Sequence, residues 1–156
     1  MKKYPVEIKI SEQRLYLYLD NKIIRSYPIS TSKYGVGNKL GSNKTPLGLH
    51  QIVSKIGRNA SLGAIFKYRR NTGKIARARE GKDLITTRIL RLVGLEKGIN
   101  KGRGIDSFQR CIYIHGTPEE KSIGRQVSHG CIRMKNRDII EVFNLVKRKT
   151  LVSVIK

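Results

Sequence analysis

The chain has 156 residues and carries 33 Lys and Arg against 11 Asp and Glu, a formal net charge of +22. This length predicts a single domain, residues 1–156, large enough to bury a core without disulfide staples. The 38% hydrophobic content, gathered in short blocks, excludes wholesale disorder, and no run reaches the roughly 20 apolar residues of a transmembrane segment.

A surface this basic attracts polyanions, and the attraction weakens with salt. The basic residues are spread along the whole chain, zinc-finger spacing is missing, and only 6% of residues are aromatic, so specific nucleic-acid recognition is not expected. Anionic polymers of the cell envelope fit the charge better. The opening residues MKKYPVEIKISEQ lack the apolar run of a signal peptide. The two cysteines, Cys111 and Cys131, cannot form a disulfide framework.

Along the chain, Val6, Ile8 and Ile10 alternate with charged residues, and Leu15, Leu17 and Leu19 alternate with tyrosines. That period of two predicts two strands, with a tight turn at Asp20-Asn21 leading into a third over 23–29. Residues 31–45 (TSKYGVGNKLGSNKT) have no apolar period and read as a long loop, a candidate cleft wall. A short strand is expected over 49–53, after Pro46 and Gly48. Residues 54–81 are irregular and basic and predict no definite element.

The run LITTRILRLV, 84–93, predicts a strand, and KGINKGRG, 97–104, a second loop. Residues 111–115 predict another strand, with Ile112 and Ile114 on one face and Cys111, Tyr113 and His115 on the other. One helix is expected, with Asn136 as its N-cap, Asp138 in its first turn, an apolar stripe of Ile139, Ile140, Phe143 and Val146, and Lys147 to Lys149 in its last turn. A final strand covers 151–155. The sum is a mostly β chain with one helix in its C-terminal half.

Two of the three histidines and one cysteine fall within seventeen residues: His115-Gly116-Thr117-Pro118, then Ser128-His129-Gly130-Cys131-Ile132-Arg133-Met134. A cysteine nucleophile needs its thiolate, which a neighbouring imidazole generates by accepting the proton. Gly130 lets backbone approach a substrate carbonyl, and amides at that turn suit an oxyanion. This outlines acyl transfer at Cys131, with either His115 or His129 as base. A zinc site built from His115, His129, Cys131 and Cys111 is the weaker alternative, because neither a CxxC nor an HxxxH pair exists. A buried structural cysteine with two satisfied histidines is the other. Cys111 is read as a small strand hydrophobe, His50 as a surface or core-edge residue, and Tyr34 and Tyr113 as core or cleft lining.

The segment S-H-G-C-I-R-M, with H-G-T upstream and a glycine-rich stretch ending in T-P-L-G, resembles the L,D-transpeptidase catalytic domain, the YkuD-like family. The resemblance implies a YkuD-like β-sandwich of mixed sheets and a cysteine-dependent L,D-transpeptidase that makes 3-3 cross-links or exchanges residues on peptidoglycan stem peptides. It also implies that carbapenems are inhibitors. By the same resemblance Cys131 is the nucleophile and His115 the base, oriented by the carbonyl of Gly116. Gly130, Ser128 and His129 shape the oxyanion hole and pocket, and Arg133 holds the loop or a substrate carboxylate. No cofactor and no metal are implied. Such an enzyme works at the cell envelope; with no signal peptide visible, the cytoplasm is the alternative. Competing functions are an L,D-carboxypeptidase using the same cysteine and a basic, non-catalytic polyanion-binding protein.

Overall fold

The computed structural model describes residues 4–77 and 83–156. Strand β1 (Val6–Lys9) leads through a 3-10 turn into β2 (Arg14–Leu19), which pairs antiparallel with β3 (Lys22–Pro28). Asp20 and Asn21 join these two strands, both with φ in the left-handed region (49° and 65°), the backbone that a two-residue hairpin turn of this hand requires. The alternation expected here is realised: Val6, Ile8, Leu15 and Leu17 are buried, and Leu19 is exposed at the hairpin end.

The remaining strands are β4 (Gly48–Ile56), β5 (Ala64–Lys67), β6 (Arg70–Ile75), β7 (Ile85–Gly94), β8 (Tyr113–Gly116), β9 (Ile132–Met134) and β10 (Leu151–Ile155); the helix α1 spans Asn136–Leu145. The strands form one mixed sheet in the order β3-β2-β1-β10-β4-β7-β5-β6, with β8 on β7 and β9 on β8. The pairs β1–β10 and β8–β9 are parallel. Thr86 of β7 pairs with both Ile65 of β5 and Gly116 of β8, and Ile89 pairs with both Ile56 of β4 and His115. One edge of β7 therefore holds β4 and then β5, and the other holds β8. The sheet branches at β7.

Several sequence expectations change here. The β5–β6 hairpin lies in the stretch that predicted no element; its turn residues are Tyr68 and Arg69, both left-handed, a pair that carries none of the usual Asn-Gly signal. Residues 78–81 of that stretch lie outside the described residues. The strand expected over 111–115 starts at Tyr113 instead. Cys111 has φ 55° and closes a turn in which its N–H donates to Phe108 O. The face assignment survives this shift, with Ile112 and Ile114 in the main core and Tyr113 in a second cluster with Ala64, Phe66 and Ile89.

Asn136 is not the N-cap. It sits inside the first turn, preceded by Lys135, and is buried. Its Oδ1 accepts hydrogen bonds from Thr86 and Thr87, both at 2.6 Å, and its Nδ2 donates to Thr117 O and Glu120 Oε1. Tertiary partners have taken the side chain a cap would have used. The helix also stops at Leu145, before the three basic residues expected in its last turn, because Val146 is extended and buried in the core. Buried Ile139, Val142 and Phe143 lock α1 over the sheet, each contributing roughly 1.5–3 kcal/mol relative to exposure.

Candidate active site

Strands β8 and β9 run in parallel with His115 opposite Arg133 and Ile114 opposite Ile132. Side chains alternate along a strand, so His115 and Arg133 share one face, and Cys131, two residues before Arg133, returns to that same face. The intervening Ile114 and Ile132 point into the main core and are fully buried. The apolar residues thus anchor the segments that aim the polar ones.

His115, Cys131 and Arg133 line a cavity of about 90 Å³ together with Asp83, Ile85, Ser128 and His129. His115 is buried at 2% exposure, and its Nδ1 lies 2.6 Å from Gly116 O. A carbonyl can only accept, so Nδ1 carries the proton and Nε2 keeps its lone pair. Gly116 has a second role. A Cβ here would lie 2.6 Å from both Asn136 Oδ1 and Thr86 O, so only glycine lets β8 sit this close to β7 and α1.

Cys131 Sγ accepts the Tyr113 N–H at 3.3 Å and directs its own S–H toward Cys111 O at 3.4 Å. Burial pushes the thiol up to about 12; the Tyr113 amide opposes that rise. Burial also lowers His115 to about 4, against the opposing pull of the Gly116 carbonyl. The resting pair is therefore a neutral thiol and a neutral imidazole near pH 7, not a preformed ion pair.

Gly130 has φ 125°, and its carbonyl accepts the Thr45 hydroxyl at 3.0 Å. Its N–H, an expected oxyanion donor, is engaged by Ser128 Oγ at 3.2 Å, while that hydroxyl donates to Cys131 O at 2.6 Å. Ser128 thus braces the turn that carries the cysteine. The loop 31–45 forms a wall beside it. Lys33 N–H donates to Ser128 O, Ser128 N–H donates to Thr31 O, and the Tyr34 ring lies 6.3 Å from that of His129.

The two candidate bases differ in setting. Both line the cavity, but His129 is 44% exposed, with its Nδ1 facing Asp83 Oδ2 at 2.9 Å, whereas His115 is buried. Arg133, only 5% exposed, donates from Nη2 to Asp83 Oδ1 at 2.6 Å, and its Nε has no partner among the described residues. Asp83 was not foreseen. Its sequence signal is no more than an acid just before a strand, and the contact spans 50 positions. Tyr34 is exposed beside the cleft, and Tyr113 is buried, with its hydroxyl accepting from Arg69.

His50 departs from its surface or core-edge expectation. It is fully buried, donating from Nδ1 to Gly48 O and accepting at Nε2 from Ser107, and burial lowers it to about 4. Among the described residues, no three His, Cys, Asp or Glu side chains come together as a metal-ligating group, and no helix is long and apolar enough to cross a membrane.

The family model of the L,D-transpeptidase catalytic domain (YkuD) matches residues 3–154. The chain is similar to the protein YkuD of Bacillus subtilis (strain 168), 26% identical over 151 residues, which is 97% of this chain and 65% of that protein. Among solved structures it superposes on L,D-transpeptidase 3 from Mycobacterium tuberculosis in complex with a faropenem-derived adduct, with a TM-score of 0.60 and 18% identity, over 97% of this chain and 59% of that one. It also superposes on an L,D-transpeptidase in complex with imipenem, with a TM-score of 0.59 and 20% identity, over 96% and 57%. Those structural likenesses establish the fold: a mostly β, mixed-sheet architecture with one helix. The chain spans about two thirds of the YkuD relative and under 60% of either solved chain.

Proposed function

The chain belongs to the L,D-transpeptidase catalytic domain family, and on that premise we propose that it transfers acyl groups between peptidoglycan stem peptides through a thioester on Cys131. The supporting observation is that Cys131 and His115 line one cavity, with the His115 ring held by the Gly116 carbonyl so that Nε2 is the open nitrogen. Burial lowers the His115 imidazole and raises the Cys131 thiol, which favours the neutral form of each near pH 7, so charge separation belongs to the reacting complex and not to the free enzyme.

In the first step the thiol leaves its contact with Cys111 O, His115 Nε2 takes its proton, and the sulfur attacks the carbonyl before the terminal D-residue. A C–S bond forms and the C–N bond breaks, the proton passing from the imidazolium to the leaving amine. An acceptor amine then attacks the thioester. The new C–N bond forms, the C–S bond breaks, and the amine proton returns through His115 to the thiolate. Cross-links of the 3-3 type follow when the acceptor is a second stem. Such substrates place the enzyme at the cell envelope, where its +22 charge favours retention on anionic polymers.

Incubation with imipenem tests this directly. The expected result is a covalent mass increase of one imipenem that maps to Cys131 and is lost in Cys131→Ala. A folded protein that gains no mass overturns the nucleophile assignment. Given stem tetrapeptide, cross-linked dimers support transfer, and tripeptide without dimers makes the enzyme a carboxypeptidase.

A further inference from the structure

On the other side of β7 from the cysteine cavity lies a second cavity of about 280 Å³, lined by Lys55, Arg58, Asn59, Arg88, Phe143 and Asn144. It shares no lining residue with the first. Three of the six side chains are cations, two are amides, and none is a carboxylate. The irregular register between Thr86 and Ile89, with Thr87 at φ 74°, separates Arg88 from Ile89, which packs in the second cluster.

Arg88 is 8% exposed, and its guanidinium lies 5.5 Å from the Phe143 ring. Its hydrogen bonds from Nη1 go to two backbone carbonyls, Ala60 O and Thr87 O, and its Nε has no partner among the described residues. Lys55 Nζ approaches the same ring at 4.3 Å and donates to Val146 O at 2.7 Å. That bond closes the end of α1 with one ammonium hydrogen and leaves two. Arg58 is exposed at the rim. Among the described residues no acid forms an ion pair with any of the three cations. A buried guanidinium without a counter-charge is costly, and like charges held together add to that cost.

We propose that this cavity binds a phosphate group, whose negative charge and several acceptor oxygens match a wall of ammonium and guanidinium groups better than a single carboxylate does. The phosphate comes either from a small phosphate species or from a phosphate-bearing polymer. In the second case the pocket is a point at which the protein grips an anionic chain. The proposal is independent of the acyl-transfer reading, since no residue of the cysteine cavity takes part.

Calorimetric titration with inorganic phosphate, and separately with a defined-length polyphosphate, tests it at constant ionic strength with chloride as control. Saturable binding of one phosphate group per chain is expected. Arg58→Gln and Lys55→Gln should each weaken it tenfold or more, whereas Lys22→Gln, which removes the same charge on distant β3, should change it less than twofold. Tighter binding of polyphosphate with the same sensitivity assigns the polymer source; binding of inorganic phosphate alone assigns the small species. Absence of saturable binding for both probes overturns the site, and so does an equal loss in all three variants, which would mean that net charge alone is responsible. Circular dichroism of each variant confirms folding, and Arg58, being exposed, keeps the test valid even if Lys55→Gln unfolds.

Discussion

The carboxylate of Asp83 meets the guanidinium of Arg133 at 2.6 Å, so the cation beside the cysteine is already balanced by an acid of the same chain. Its second oxygen holds His129. Arg133 is thus paired with an acid that lines the same cavity. Asp83→Asn keeps the shape, removes the charge, and leaves Arg133 buried and uncompensated. Because Asp83 is 42% exposed, the expected loss falls between that of an exposed and a buried pair, about 1–2 kcal/mol, or roughly 3–6 °C in Tm. Added acetate should restore part of the loss in the variant and leave the parent unchanged. An unchanged Tm in Asp83→Asn would show that the pair contributes nothing.

Base assignment is tested by kinetics. His115→Gln should slow acylation of Cys131 by about 10²–10⁴, the usual contribution of a general base, while His129→Gln should cost less than about tenfold. Stopped-flow measurement of imipenem acylation gives both rates, and the reverse order would move the base to His129.

Burial holds the Cys131 thiol near 12, so its reaction with iodoacetamide should keep rising with pH through pH 10. Peptide mapping follows Cys131 separately from Cys111. A plateau reached by pH 7 would mean that a thiolate already exists in the free enzyme.

Two buried histidines, His50 and His115, sit near 4 against about 6.5 when unfolded. The unfolded chain binds protons first as pH falls from 6.5 to 4, so stability is full above 6.5 and is lost toward 4. At about 1.4 kcal/mol per unit the upper limit is about 3 kcal/mol for each histidine. His50→Gln should flatten the fall of Tm between pH 7 and 4; a slope identical to that of the parent would be the contrary result.

Asn136 ties β7, the segment after β8 and α1 together through four hydrogen bonds from one amide. Asn136→Ala removes the acceptor of the buried Thr86 and Thr87 hydroxyls, at about 1–3 kcal/mol for each unsatisfied donor, although the Thr87 oxygen keeps the Gly63 N–H. A loss of about 2–4 kcal/mol by urea denaturation is expected, with imipenem acylation also slowed because Gly116 packs against Asn136 Oδ1. Stability within 0.5 kcal/mol of the parent would contradict the hub.

Local chemistry is what a sequence displays, and the elements governed by it were readable: the alternating strands β1 and β2, the Asp20-Asn21 turn, the apolar face of α1, and the motif that unites His115 and Cys131. Period and turn type act over a few residues, so they survive in any context. Elements that depend on partners distant along the chain were not readable. Asn136 looked like a cap because its tertiary partners at Thr86 and Thr87 lie 50 and 49 positions away. The Tyr68-Arg69 turn and the burial of His50 have the same origin.

The residue types needed for thiol chemistry, and the surplus of positive charge, are properties of the chain as written. Packing decided that burial favours the neutral form of both thiol and imidazole, that Asp83 faces Arg133, and that Lys55, Arg58 and Arg88 line one cavity. Proton affinity and ion pairing depend on desolvation and on distance through space. Both quantities come into being only when β7, β8 and α1 close on one another.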